Sequence, residues 1–208
     1  LQSPPPLVNV LTSVPGLACV VADEYEGGYQ ATRHLLDLGH RRIAYLLDDS
    51  YGETRMRLAG YQAALRDAKV KASSDWVRVV EEGNEGKLWP QCGKTEMLKW
   101  LASGWKKASC TALLCHNDEM ALGVLEALRD HKIRVPQDLS IVGYDGTILC
   151  ETLHPELTSV KVPMREIGFR AAGLLIEQIE SGQAETATVA LPITMQLRGS
   201  TSRLTNTI

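Results

Sequence analysis

The sequence predicts an α/β chain organised around a doubly wound parallel sheet. Three observations carry that reading. Short apolar runs alternate with longer stretches of helical periodicity almost without exception along the chain, the pattern of repeated strand–helix–strand units. One complete unit stands out over residues 111–147. An apolar run at 111–115 is followed by a helical stretch whose apolar face is Met120, Ala121, Val124, Leu125 and Leu128, and then by a second apolar run at 139–143. Finally, the punctuation agrees: Asn117 and Asp118 suit a helix start and Pro136 prevents its continuation. Such a unit implies parallel strands and a right-handed crossover. Both strands end in polar residues, Asn117 and Asp118 on one and Asp145 on the other. Ligands of parallel α/β sheets bind outside the carboxyl ends of the strands, so these three side chains lie where a ligand is expected.

The remaining elements follow in order. Residues 1–6 hold three consecutive prolines and are expected to be extended or disordered. Residues 7–11 form a weak apolar run of undecided state, Pro15-Gly16 marks a turn, and 17–21 is a short strand. Gly27-Gly28 precedes a helix to Leu38 with Ala31, Leu35 and Leu38 on one face, stopped by Gly39. A strand over 42–47 ends at Asp48-Asp49. A helix over 55–68 turns Leu58, Tyr61 and Leu65 inward, and 76–80 is a weak strand. A glycine-containing loop over 82–93 carries Trp89 and Pro90, before a helix over 94–103. After the central unit comes a loop at 149–155, then an extended segment at 157–162 that stops before Pro163. A helix over 164–180 buries Ile167, Ala171, Leu175 and Ile179. The last strand runs over 191–197, and Arg198 begins a tail.

Bulk properties narrow the function. A formal net charge of -3 leaves no electrostatic footprint for a polyanion, so this chain is not expected to bind nucleic acid directly. No apolar run is long enough to cross a bilayer, and residues 1–6 lack the features of a signal peptide. The five cysteines are irregularly spaced and include no CxxC pair, which reads as buried reduced thiols in a cytoplasmic protein. The histidines have no metal-ligand spacing, and no phosphate loop, dinucleotide fingerprint, nucleophile elbow or HExxH stretch occurs. Cys115 and His116 are adjacent on a strand, so their side chains diverge. No catalytic residue, metal or cofactor is therefore assigned, and an enzyme is not expected.

A binding role suits the residues better. Asp48, Asp49 and Arg57 flank the carboxyl end of another strand. With Asn117, Asp118 and Asp145 they bring acceptors and a forked donor to one rim, the mixture that hydroxyl-rich ligands such as sugars require. Trp89 is the aromatic wall candidate. Each has a structural reading too: Asn117 as a helix cap, Asp145 as a turn residue, Arg57 as a solvated helix residue, Trp89 as a loop anchor. One of Asp48 and Asp49 shapes the turn and the other lies at the rim.

Several stretches resemble a known family. These are Glu26-Gly27-Gly28-Tyr29-Gln30-Ala31, Leu38-Gly39-His40-Arg41-Arg42-Ile43, Arg55-Met56-Arg57-Leu58-Ala59-Gly60-Tyr61 and Asn117-Asp118-Glu119-Met120-Ala121-Leu122-Gly123. Val135-Pro136-Gln137-Asp138, the run Ser140-Ile141-Val142-Gly143-Tyr144-Asp145, and the closing Leu197-Arg198-Gly199-Ser200-Thr201 belong with them. In this order they resemble the effector-binding core of the LacI/GalR transcriptional regulators. The resemblance implies a periplasmic-binding-protein-like fold of two α/β lobes with a small effector, a sugar or a nucleobase in known members, held between them. Closure of the lobes then controls a homodimer on operator DNA. It also implies effector contacts from Arg57, Asn117, Asp118 and Asp145, and an inter-lobe position for Asp23.

The family's helix-turn-helix and much of its first lobe have no counterpart here, so operator DNA is an expected partner only through parts absent from this chain. Residues 1–22 are then an extended or remnant segment of the first lobe, and 23–156 the effector-binding second lobe. Residues 157–188 are the returning strand and helix of an incomplete first lobe, and 189–208 the last strand of the second lobe and a tail. Ile167, Ala171 and Leu175 are expected to lack partners on that helix, leaving an apolar patch. The alternative reading is a sugar-binding protein of a transport system, which shares the fold.

Overall fold

The computed structural model describes residues 5–50, 52–80 and 88–204. The expected conformation of residues 1–4, the first part of the loop assigned from Glu82, and the last four residues of the tail lie outside them.

Two sheets organise the chain. The larger has six strands in the order β4-β3-β5-β6-β7-β9. These are β3 (Ile43–Leu47), β4 (Val77–Val79), β5 (Ala112–Cys115), β6 (Ser140–Asp145), β7 (Thr158–Lys161) and β9 (Thr194–Gln196). All pairings are parallel except the last, β7 with β9. The smaller sheet is parallel, ordered β1-β2-β8, from β1 (Val8–Val10), β2 (Ala18–Ala22) and β8 (Thr188–Leu191). The fold class is as expected, because the apolar runs at β3 and β5 are buried along their whole length and so must be covered on both faces.

The coverage comes from two helix pairs. Helix α1 (Glu24–Asp37) packs on α2 (Gly52–Asp67), and α3 (Trp89–Ser103) packs on α5 (Asp118–Asp130). The short helices α4 (Trp105–Ala108) and α6 (Leu149–Thr152) fill turns. Strand order runs outward from β3 to β4, then returns to β5, β6 and β7, so the winding reverses between β3 and β5. Such a reversal opens a crevice at the carboxyl ends of the two strands.

Helix α7 (Met164–Ser181) serves the smaller sheet, where it packs on β1 and β2. Its buried face is Ile167, Ala171, Leu174 and Gln178. The expected Leu175 and Ile179 are one residue out of phase, and Ile179 is exposed. Ile167 and Ala171 do have a sheet to cover. The exposed apolar side chains of this helix are instead Met164, Phe169, Ile176 and Ile179.

Four expectations need correction. The helix expected after Gly27-Gly28 begins earlier, at Glu24, with both glycines inside it. Trp89 and Pro90, read as loop, open α3, where proline is tolerated because the first-turn N–H has no helical partner. The extended segment 157–162, assigned to the first lobe, supplies β7 of the larger sheet, and only α7 and β8 go to the smaller one. The "tail" is tied down: the Ile141 N–H donates to the Ser200 carbonyl at 2.8 Å and the Ser200 hydroxyl donates back to the Ile141 carbonyl at 2.7 Å. Ser200 is fully buried. It satisfies backbone groups at the entry to β6 and β7 that would otherwise be costly to bury.

The chain crosses between the sheets three times: from β2 into α1, from β7 into α7, and from β8 to β9. Asp23 holds the first crossing. Its N–H donates to the Leu191 carbonyl at 2.9 Å, and its carboxylate caps α1 by accepting from the Glu26 N–H at 3.0 Å.

Candidate functional site

A cleft of about 830 Å³ opens along these crossings. The carboxyl ends of β5 and β6 form one wall, with the first turns of α2 and α3. The loop after β1 and the segment from β7 into α7 form the other. Register explains why residues so far apart in sequence meet here. Leu46 pairs with Cys115 and Leu114 with Val142, so β3 and β5 end close to one level, β6 runs on to Asp145, and the residues at these ends share one edge.

Arg57, Asn117, Asp145 and Trp89 all line the cleft. Asn117 keeps its structural role as well: it caps α5, accepting from the Met120 N–H at 2.7 Å. Trp89 stacks at a tilt on the His116 imidazole, ring centroids 4.9 Å apart, giving the cleft an aromatic patch. The other three expected residues are elsewhere. Asp118 is fully buried and faces inward. Its carboxylate accepts from the Thr147 N–H and hydroxyl at 2.7 and 3.0 Å and from the Ser159 hydroxyl at 2.6 Å. It pins the loop after β6, because as the first residue of α5 it turns away from the cleft. Asp49 is exposed beyond the end of β3 and does not line the cleft, while Asp48 makes the turn by accepting from the Ser50 N–H at 2.8 Å. Asp23 lines a smaller neighbouring pocket by the first crossing.

Arg57 has the most developed surroundings. Its Nε donates to Glu24 Oε2 at 2.6 Å, one terminal nitrogen donates to Glu24 Oε1 at 3.3 Å, and the other donates to the His116 carbonyl at 3.0 Å. The guanidinium lies over the Tyr144 ring, 3.7 Å from its centroid, and the Tyr144 hydroxyl donates to Glu24 Oε2 at 2.7 Å. Burial opposes the charge on Arg57, but Glu24, together with Tyr144 and Tyr45, outweighs it and holds the guanidinium protonated. Gly27 makes room for this network, since a Cβ there would run into the Tyr144 hydroxyl.

The other ionisable groups are displaced by burial. Asp145 is pushed up to about 6, chiefly by burial and further by the nearby carboxylates of Asp118, Glu24 and Glu119, against the pull of Arg57. It has a φ of 99° and Gly146 after it a φ of 64°, a left-handed pair that few residues other than glycine, asparagine and aspartate adopt. His116 is lowered to about 4 by burial and by Arg57, so it is neutral at pH 7. Burial also raises Cys115, which leaves no thiolate for nucleophilic chemistry.

Glu24, His116 and Thr54 line the cleft without having been expected there. Glu24 follows a helix-capping aspartate and reads as an ordinary first-turn acid; its partner is 33 positions away. Thr54 is fully buried, and among the described residues its hydroxyl has no hydrogen-bond partner. Among the described residues no group of three or more His, Cys, Asp or Glu could hold a metal ion, and no helix is long and apolar enough to cross a membrane.

This architecture is that of a two-unit α/β binding protein with its cleft at the crossings. Residues 32–201 match the periplasmic binding protein-like domain family. The chain is 33% identical over 162 residues to the HTH-type transcriptional repressor PurR of Vibrio vulnificus, covering 77% of this chain and 46% of the relative. It superposes with a TM-score of 0.84 and 28% identity on a LacI family transcriptional regulator from Enterococcus faecium with bound ribose, over 96% of this chain and 72% of that one. A complex of the transcriptional regulator CelR with cellobiose gives a TM-score of 0.78 at 30% identity, over 88% and 54% of the two chains. The chain therefore belongs to the periplasmic-binding-protein-like family, as an effector-binding domain of the LacI type. It spans about half the length of the curated relatives it matches.

Proposed function

We propose that this chain is the ligand-sensing part of a LacI-type transcriptional regulator that takes a small sugar in the cleft at the crossings. The six-stranded unit is then the second lobe, and β1, β2, β8 and α7 belong to the first. Ligand-driven closure of the two controls operator binding by a cytoplasmic homodimer, with DNA contacts made by a helix-turn-helix outside these residues. The chain itself performs no catalysis.

The observation that carries this reading is the convergence of Arg57, Asn117 and Asp145 on one wall, with Trp89 beside them. A carboxylate accepts from ligand hydroxyls, the amide and guanidinium donate to ligand oxygens, and an indole face covers a sugar's apolar side. The bound ribose and cellobiose of two similar structures add support.

A ligand that binds only the native state stabilises by mass action. A panel of neutral sugars including ribose and cellobiose, screened by thermal shift, is expected to contain at least one that raises Tm in a concentration-dependent way. No rise with any of them would remove the sugar from the account.

A further inference from the structure

Arg57 is the cation deepest in the cleft, and it is already matched. Glu24 takes two of its N–H groups in a forked pair and the His116 carbonyl takes a third. One N–H remains on each terminal nitrogen. The guanidinium thus keeps hydrogen-bond donors for a ligand but has no uncompensated charge to offer. The remaining polar groups at this depth point the same way. Asp145 supplies an acceptor and His116 is held neutral. Lys161 and Arg165 also line the cleft but are exposed, so solvent screens them; Lys161 is the register partner of Asp145 and its stem lies against Gly146.

We infer that Glu24 is a specificity-determining residue: by neutralising Arg57 it commits the cleft to uncharged, hydroxyl-bearing effectors and turns away phosphorylated or carboxylated sugars. The inference rests on the sugar reading above and adds the charge class of the effector and the residue that sets it. An anion entering beside Asp145 and Glu24 meets two carboxylates and, among buried cations, Arg57, whose charge is already shared with Glu24; Lys161 and Arg165 are exposed. Replacing Glu24 with glutamine keeps the side-chain shape, leaves Arg57 unmatched, and so creates the anion site that the natural chain lacks.

The test is a matched panel on the 208-residue chain, read by isothermal titration calorimetry: ribose, glucose and cellobiose against ribose 5-phosphate, glucose 6-phosphate and gluconate. The wild type is expected to favour neutral members by roughly tenfold or more, and Glu24→Gln to close that gap by a similar factor. The double variant Glu24→Gln/Arg57→Gln, which removes both charges, is expected to gain no affinity for the anions. Anionic sugars that bind the wild type as tightly as their neutral parents would overturn the role of Glu24 and leave the sugar reading standing. So would a folded Glu24→Gln with an unchanged ratio, or an equal gain in the double variant, which would place the anion contact on Lys161 or Arg165. Should Glu24→Gln not fold, Glu24→Ala takes its place in the same comparison with its own Arg57→Gln double variant. Silence from every member in every variant would remove the sugar reading and this inference together.

Discussion

Asp145 shows what burying a carboxylate on the cleft wall costs the fold. Its carboxyl titrates near 6, above the usual carboxylate range near 4, so ionising it is harder in the folded state than in the unfolded one. Its stabilising contribution is fully present below about pH 4 and is lost as pH rises through about 6. Asp145→Asn removes that penalty and keeps a residue tolerant of the left-handed backbone. The variant is expected to be more stable than the wild type at pH 7.5 by on the order of 1–3 kcal/mol in urea unfolding, with the gap closing by about pH 4. It is also expected to lose its thermal response to sugar. An unchanged response would move the ligand off this wall. In the wild type, sugar affinity is expected to fall as pH drops below 6, because protonation replaces the charged acceptor with a weaker neutral one and turns one oxygen into a donor. At this scale the sequence put Asn117 and Asp145 at strand ends, Arg57 by the helix after another strand and Trp89 forward as an aromatic wall, and the four line one cleft. It could not separate Asp118, which has the same local signature but turns to Thr147 and Ser159. It also could not see Glu24, whose meaning depends on a partner on another helix.

The helices meet through glycine. A Cβ on Gly28 would lie 2.0 Å from the Arg57 carbonyl oxygen, and one on Gly60 2.0 Å from that of Tyr25, so α1 and α2 approach backbone to backbone. That contact also sets where Arg57 stands relative to Glu24, at the start of α1. Sequence reading placed Gly27-Gly28 before the helix because glycine is a poor helix former; close packing overrides the propensity. Gly60→Ala is expected to destabilise by about 1–3 kcal/mol or more, as overpacking does. Gly168→Ala on α7, where nothing lies within 4 Å, is expected to stabilise by roughly 0.5–1 kcal/mol. Equal effects in urea melts would refute the close-approach argument. Element identity was legible wherever the period was long and clean, as in α5. Phase was not: α7 carries apolar residues on both faces, and only the sheet beneath it decides that Leu174 rather than Leu175 goes inward.

At the scale of the whole molecule, function follows from topology. The reversal of winding between β3 and β5 opens a crevice, and the crossings from β2, β7 and β8 bring the smaller sheet's connections to its mouth. The parallel sheet was readable from alternation alone. The assignment of strands to sheets was not, since a strand such as β7 can leave for either sheet without any change in its own residues, and pairing with β6 is a long-range choice. The central claim is that a sugar sits in this cleft against the ends of β5 and β6. A crystal structure with the sugar that most raises Tm tests it directly. The account predicts ligand density in contact with Arg57, Asn117 and Asp145 and covered by Trp89; a sugar bound anywhere else, with those four side chains untouched, would contradict it.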